Sequence, residues 1–263
     1  MGRLQLIVEY DGTDFVGWQR QLNGRSVQED VEKALTTLLG TRIQVEAAGR
    51  TDAGVHAQGQ VVAFDDPRGL PLTAYTRGLN SLLPRDVAVV DALEAPADFD
   101  PRRWAQGKRY RYRISNRRRR SPLRRRTHWE LFAPLDLAAM QAAALPLLGR
   151  HDFSAFRAAD CQARSPVRLL REVQIVRGEE AELVLDFEGT AFLKYMVRNL
   201  VGSLVEVGRG RRPVRWIAET LASKDRTLSG PTAPPQGLTL LSVRYEGRPA
   251  GGGAKGSGAL APV

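Results

Sequence analysis

One carboxylate stands out by its setting. Asp52 lies in the run Gly49-Arg50-Thr51-Asp52-Ala53-Gly54-Val55-His56, directly after an apolar stretch, Ile43 to Ala48, that reads as a strand. Glycines at 49 and 54 permit a tight turn with unusual backbone angles. Arg50, two residues away, would hold the carboxylate ionised. The loop thus offers one anionic carboxylate on a rigid turn in a cationic protein. A glycosidase needs a second carboxyl group to activate water, and no second motif of that type is evident. Asp-Ala-Gly is also an ordinary turn sequence, and an Asx turn accounts for Asp52 without any chemistry.

The next feature is charge. Between Pro101 and Arg126 there are thirteen Lys or Arg residues and no Asp or Glu, with Trp104, Tyr110 and Tyr112 interleaved. The runs Arg117 to Arg120 and Arg124 to Arg126 flank Pro122, which suggests a loop. A solvated charge run explains four or five like charges. A tract this long and free of acids fits a phosphate backbone, whose condensed counterions are released on binding. Arginine also stacks on bases and forks onto phosphates. The aromatic strand signature of a single-strand RNA reader is absent, so recognition of a folded RNA by shape is expected.

The whole chain agrees with that partner. It has 263 residues, a formal net charge of +10 and a hydrophobic content of 43%. That is enough to bury a core, and the charge favours nucleic acid first and an acidic membrane surface second. No basic amphipathic helix supports the membrane alternative. The single cysteine, Cys161, allows no intramolecular disulfide and no thiolate zinc site. His56, His128 and His151 lack metal-ligand spacing, so no metal is expected. The N-terminus lacks the apolar core of a signal peptide, and Leu131 to Leu148 is broken by Pro134, Asp136 and Pro146, so no membrane span is expected and the location is cytoplasmic. No Gly-rich dinucleotide loop is present.

These residues need elements to position them. Leu4 to Tyr10 reads as a strand. Ser26-Val27-Gln28-Glu29 is a capping box that opens an apolar stripe of Val27, Val31, Ala34, Leu35 and Leu38, ended by Gly40. Gln60 to Phe64 and Val87 to Leu93 read as strands, and Thr73 to Leu83 as a helix ended by Pro84. The second half repeats the order: a strand from Lys108 to Ser115, a helix from Asp136 to Leu148, strands over Leu169 to Val176 and Glu182 to Phe187. Helices over Ala191 to Val207 and Val214 to Ala222 and a strand over Leu238 to Tyr245 follow. A ferredoxin-like order therefore occurs twice, with one extra helix. Residues 1–105 form an N-terminal α+β domain carrying Asp52 and 106–247 a C-terminal one. The Gly-, Ala- and Ser-rich tail, 248–263, is expected to be disordered.

Gly49 to His56 resembles the signature of the tRNA pseudouridine synthase A family. Other segments agree in the same order: Tyr10-Asp11-Gly12 with Phe15, Gly17, Trp18 and Gln19; Ser26-Val27-Gln28; Lys108-Arg109-Tyr110-Arg111-Tyr112; Met196-Val197-Arg198-Asn199 with Gly202; and Lys224-Asp225-Arg226. The resemblance runs roughly from Leu4 to Tyr245. It implies a cofactor-free homodimeric isomerase, α+β in class. Two ferredoxin-like (RRM-like) domains, related by a pseudo-two-fold, would share a central, mostly antiparallel sheet with the active-site cleft between them. Its substrate would be tRNA, with uridine converted to pseudouridine at positions 38, 39 and 40 of the anticodon stem-loop.

Residue by residue, the resemblance implies Asp52 as the nucleophile at C1′, or alternatively as a base at C2′. Tyr110 would be the ring stacked on the target uracil, and a direct or indirect acceptor of the C5 proton. Arg198 and Arg50 would complete the substrate site, Arg198 by holding Asp52 ionised. Trp18, Gln19, Arg20, Lys108, Arg109 and Arg111 would be candidates for RNA contact. Each has a plainer alternative: Tyr110 and Trp18 as core residues, and Arg198 as part of a solvated stripe with Lys194 and Glu206. His56 reads as a loop-structuring residue. Lys194 and Tyr195 stand where relatives often carry an imidazole or amide. The competing functions are a non-catalytic RNA-binding or chaperone protein and an N-glycoside hydrolase.

Overall fold

The computed structural model describes residues 2–246, so the expected tail, 248–263, lies outside the described residues. Strand β1 (Gly2–Tyr10) turns Leu4, Leu6, Val8 and Tyr10 into the core at the period of a strand. Helix α1 (Val27–Leu39) starts where Ser26 accepts a hydrogen bond from the Glu29 N–H at 3.4 Å, and ends at Gly40 in the left-handed region (φ 71°). The reciprocal half of the expected capping box does not form. Glu29 instead pairs with Lys33 at 3.1 Å.

The strand expected over Ile43 to Ala48 shrinks to β2 (Glu46–Ala47). The reason is local. The Ile43 N–H donates to Thr36 Oγ1 and the Val45 N–H to Glu32 Oε1, so side chains of α1 satisfy this backbone in place of a neighbouring strand. Ile43 and Val45 still enter the core. Strand β3 (His56–Asp66) is longer than its apolar centre suggests. The helix expected over Thr73 to Leu83 divides into a π-wound turn, Ala74–Gly78, and a short α2 (Leu79–Leu82), before β4 (Val87–Ala95).

The second half holds β5 (Gly107–Ser115), β6 (Trp129–Glu130), α3 (Leu137–Ala144), β7 (Gly149–Asp152), β8 (Val167–Arg177), β9 (Glu182–Gly189), α4 (Met196–Gly208), α5 (Trp216–Ser223) and β10 (Leu238–Arg244). Asp136 caps α3, and Pro146 falls in a 3-10 turn, so the helix ends earlier than expected. Helix α4 begins at Met196, five residues later than expected, because Tyr195 sits in the left-handed region (φ 63°) and breaks the winding.

All strands join one ten-stranded, mostly antiparallel sheet in the order β4-β1-β3-β10-β5-β9-β8-β7, with β2 on β3 and β6 on β5. Strand β10 inserts between β3 and β5, parallel to the first and antiparallel to the second. Its register places Leu240 opposite both Ala57 and Tyr110. The loop that precedes β3 is thereby held level with Tyr110 on β5. A single apolar cluster runs through both halves of the sheet, from Leu6 and Leu35 to Tyr112, Phe187 and Leu204. Among the described residues no helix is long and apolar enough to cross a membrane.

Candidate active site

The Asp52 loop is built against the segment that follows β1. The Trp18 N–H donates to Thr51 O at 3.1 Å and the Gly54 N–H to Phe15 O at 3.3 Å. Tyr10 Oη lies 2.8 Å from Thr51 Oγ1, inside the core. Gly54 takes a positive φ of 75°, as its sequence position suggested. Gly49 does not; it is there for space, since a Cβ would lie 2.3 Å from Lys108 Nζ. His56 is 6% exposed and accepts the Gly12 N–H at Nδ1 (3.0 Å). Its Nε2 therefore carries the proton and donates to Arg126 O at 2.7 Å, with Gln236 O at 3.1 Å. It ties three segments together behind the loop.

Arg50 is not where sequence proximity suggested. It is exposed and makes no ion pair among the described residues, because the turn carries its side chain outward. Arg198, from the first turn of α4, reaches Asp52 instead, with Nη1 at 3.3 Å from Oδ2. Arg198 Nε donates to Ala233 O at 2.8 Å, and its guanidinium lies 4.6 Å from the centre of the Tyr195 ring. The guanidinium is thus fixed on three sides and only 12% of the side chain is exposed, which removes it from any solvated stripe. Next to it, Asn199 accepts from Arg226 Nη2 and Thr232 Oγ1 and donates to Phe156 O. The Lys224-Asp225-Arg226 motif serves this scaffold through Arg226, which also donates to Ser229 Oγ and Gly230 O.

Burial pushes the Asp52 carboxyl up from its ordinary value, and the adjacent Arg198 charge and hydrogen bond pull it back. Lys194 adds to the pull and Asp160 opposes it, and the balance remains above the ordinary aspartate value. Lys194 is paired with Asp160 at 2.5 Å on the exposed side of the site. Oδ1 of Asp52 makes no hydrogen bond among the described residues, so one carboxylate oxygen is held and the other is free.

Tyr110 is 8% exposed, with its ring edge-on to Phe192 at 5.1 Å. Burial, with Tyr10 and Asp52 nearby, pushes its phenol well above the ordinary tyrosine value. Its hydroxyl has no hydrogen-bond partner among the described residues. Strand alternation puts Lys108 on the same face as Tyr110, and Arg109 and Arg111 on the other. These two grip the buried Asp186: Arg111 Nε at 2.7 Å from Oδ1 and Arg109 Nη2 at 3.1 Å from Oδ2. Trp18, a candidate for RNA contact, is 2% exposed and packs beside Tyr10 with 6.0 Å between rings, so it is a core residue. Gln19 is half-buried. Arg20 is exposed, 3.7 Å from Glu29. Sequence reasoning missed Asp160, Phe192 and Ala233, none of which stands in a local pattern that marks it.

A family model described as tRNA pseudouridine synthase matches residues 6–102 and 143–246. The chain belongs to the tRNA pseudouridine synthase family. Within that family, the tRNA pseudouridine synthase A of Myxococcus xanthus is 64% identical over 251 residues, covering 95% of this chain and 94% of that one. The same enzyme of Syntrophotalea carbinolica is 51% identical over 245 residues, covering 93% and 97%. Among solved structures, an archaeal box H/ACA sRNP Nop10-Cbf5 complex aligns with a TM-score of 0.36 at 12% identity, over 77% of this chain and 44% of that chain. The chain thus spans less than half of that solved chain.

Proposed function

We propose that this chain isomerises uridine to pseudouridine in the anticodon stem-loop of tRNA, at positions 38, 39 and 40, with Asp52 as the group that acts on the ribose. The observation that carries the reading is the half-held carboxylate: Asp52 Oδ2 on Arg198, Oδ1 free, and the Tyr110 hydroxyl unengaged close by. In the reaction the C1′–N1 bond breaks and the uracil leaves with the electron pair. Asp52 Oδ1 closes on C1′ while Arg198 stays on Oδ2. The base turns, C5 bonds to C1′, and the ester opens to return the carboxylate. C5 loses a proton and N1 gains one, so atoms balance and no electrons are exchanged. The returning uracil takes the part that water plays in a glycosidase, and one carboxylate suffices.

Tyr110 enters as a protonated phenol. Its raised pKa keeps the proton on at neutral pH, so it offers a ring to stack on the base and a donor to hydrogen-bond with it. The C5 proton leaves to the regenerated Asp52 carboxylate or to water, directly or by way of the Tyr110 hydroxyl. The target uridine must be turned out of its stack to meet these groups, at a cost of a few kcal/mol that backbone contacts offset.

We further infer two ferredoxin-like units, 1–105 and 106–247, in a homodimer. The family model's two matched segments, and the lone parallel pair β3–β10 along the sheet path, support the division. A tRNA-sized substrate against one basic face per subunit supports the dimer. The test of the activity is release of tritium from tRNA labelled at uridine C5. The wild type is expected to release it and Asp52→Ala to release none while retaining most of its tRNA affinity. Binding by the wild type without release from any tRNA would leave a non-catalytic RNA-binding protein.

A further inference from the structure

Lys108 stands two residues before Tyr110 on the same face of β5, with its ammonium 2.7 Å from Ala48 O at the base of the Asp52 loop. A buried ammonium is costly unless a counter-charge lies close. Here the charges that act on it are like ones, Arg102 and Arg168. Arg168 is itself half-buried: Nη1 donates to Ser165 O and Val167 O, and Nε is buried without a partner. Among the described residues none of Lys108, Arg168, Arg102 and the nearby Arg50 pairs with a carboxylate. The opposite face of the same strand differs. Arg109 and Arg111 meet Asp186, and Arg113 meets Glu182 at 3.5 Å. Strand β5 therefore separates arginines that meet a carboxylate from site-side cations that, among the described residues, meet none.

We propose that Lys108, Arg168 and Arg102 form a binding site for a phosphodiester of the substrate RNA beside the target uridine, on the Tyr110 side of the Asp52 loop. The proposal rests on the tRNA reading above and adds a subsite to it. The ammonium has three N–H donors, of which Ala48 O takes one, and two remain for phosphate oxygens. Arg168 adds positive charge to the same wall, with no carboxylate among the described residues to offset it. A phosphodiester is the anion that accompanies every nucleotide, so a uridine seated at Asp52 brings one to this wall. Held there, it fixes the backbone on one side of the nucleotide that is turned out of the stack.

The site also makes a prediction about pH. Burial and the two arginines lower Lys108 to about 8. A bound anion raises that value again, so its contribution to affinity is full near neutral pH and is lost as pH rises through about 8 and beyond.

The experiment measures the Kd of transcribed tRNA in the Asp52→Ala background, where binding is read without turnover, with Lys108→Met, Lys108→Arg and Arg168→Met added. Lys108→Met is expected to weaken binding about tenfold near 0.1 M salt. It should also lower the slope of log affinity against log salt by about one. Lys108→Arg should keep the slope, and its affinity should stay level between pH 7 and about 9 where the parent weakens. A folded Lys108→Met protein with the parent's Kd and salt slope would make Lys108 a strut of the loop and overturn the proposal. If Lys108→Met fails to fold, a parent affinity that follows Lys108→Arg across the same pH range overturns it instead. Tritium release by the wild type, with binding unmoved by these variants, sinks only the phosphate site. Absence of release sinks the isomerase reading beneath it.

Discussion

Asp52 is a buried anion over which two forces compete. Desolvation favours its protonated form and Arg198 favours its ionised one, and desolvation wins by enough to leave the carboxyl raised. The mechanism proposed above needs the ionised form. The acid limb of kcat/KM therefore falls at a higher pH than an ordinary carboxylate would give. Arg198→Gln removes the main force pulling the value down, so the limb is expected to move to higher pH. A pH–rate profile of tritium release checks this, and an unmoved limb with a uniformly lower rate would place Arg198 outside the ionisation of Asp52. The sign is opposite for stability. A carboxyl raised in the folded state contributes stability below its unfolded value and loses that contribution as pH rises through the folded value. The fold thus carries a standing cost at neutral pH to keep this carboxylate half out of water.

Elements explain how that cost is borne, and also what was legible beforehand. Helix α1 could be seen in its stripe and its cap, which are local in sequence, and β5 and β9 in their alternation, which marks the face a strand buries even though its partners are distant. The stretch Ile43 to Ala48 misled because its apolar residues do face the core while its backbone is satisfied by Thr36 and Glu32 of α1. Helix α4 misled because one backbone angle at Tyr195 overrules a favourable run of residues. In the site, Asp52, Tyr110 and Arg198 were singled out through their motifs. That Arg198 pairs with Asp52 followed from the resemblance, while local reasoning pointed to Arg50, since the pair spans 146 residues. Gly202, on the next turn of α4, shows how tightly that arginine's support is packed: a Cβ there would lie 1.7 Å from Pro231 O. Gly202→Ala must push the helix off the segment that holds Arg198 through Ala233. It is expected to cost roughly 1–3 kcal/mol in thermal unfolding and to slow tritium release as well. Wild-type stability and rate would mean that the segment moves freely with the helix.

At the scale of the molecule, charge governs the encounter with RNA. The loop between β5 and β6 carries Arg117 to Arg120 and Arg124 to Arg126. Only part of it is internally compensated, by Glu180 with Arg117 and Arg124 and by Asp11 with Arg126. Arg118, Arg119, Arg120 and Arg125 make no ion pair among the described residues. Binding of tRNA should weaken by about a thousandfold between 50 and about 200 mM salt if six or more phosphates are neutralised. Equilibrium titrations at several salt concentrations measure this, and a flat dependence would remove the basic tract from recognition.

The place of β10 bears on how the protein is made. It is the last strand of the described chain, yet it sits in the middle of the sheet, as the ladder through which β3 and β5 are joined. Asp52, Tyr110 and Arg198 all precede it in the chain, but the ladder that sets β3 and β5 in register needs residues 238–244; without it the two are tied only by single contacts such as Lys108 Nζ to Ala48 O. A chain that stops short of β10 is therefore expected to carry these groups and yet to release no tritium.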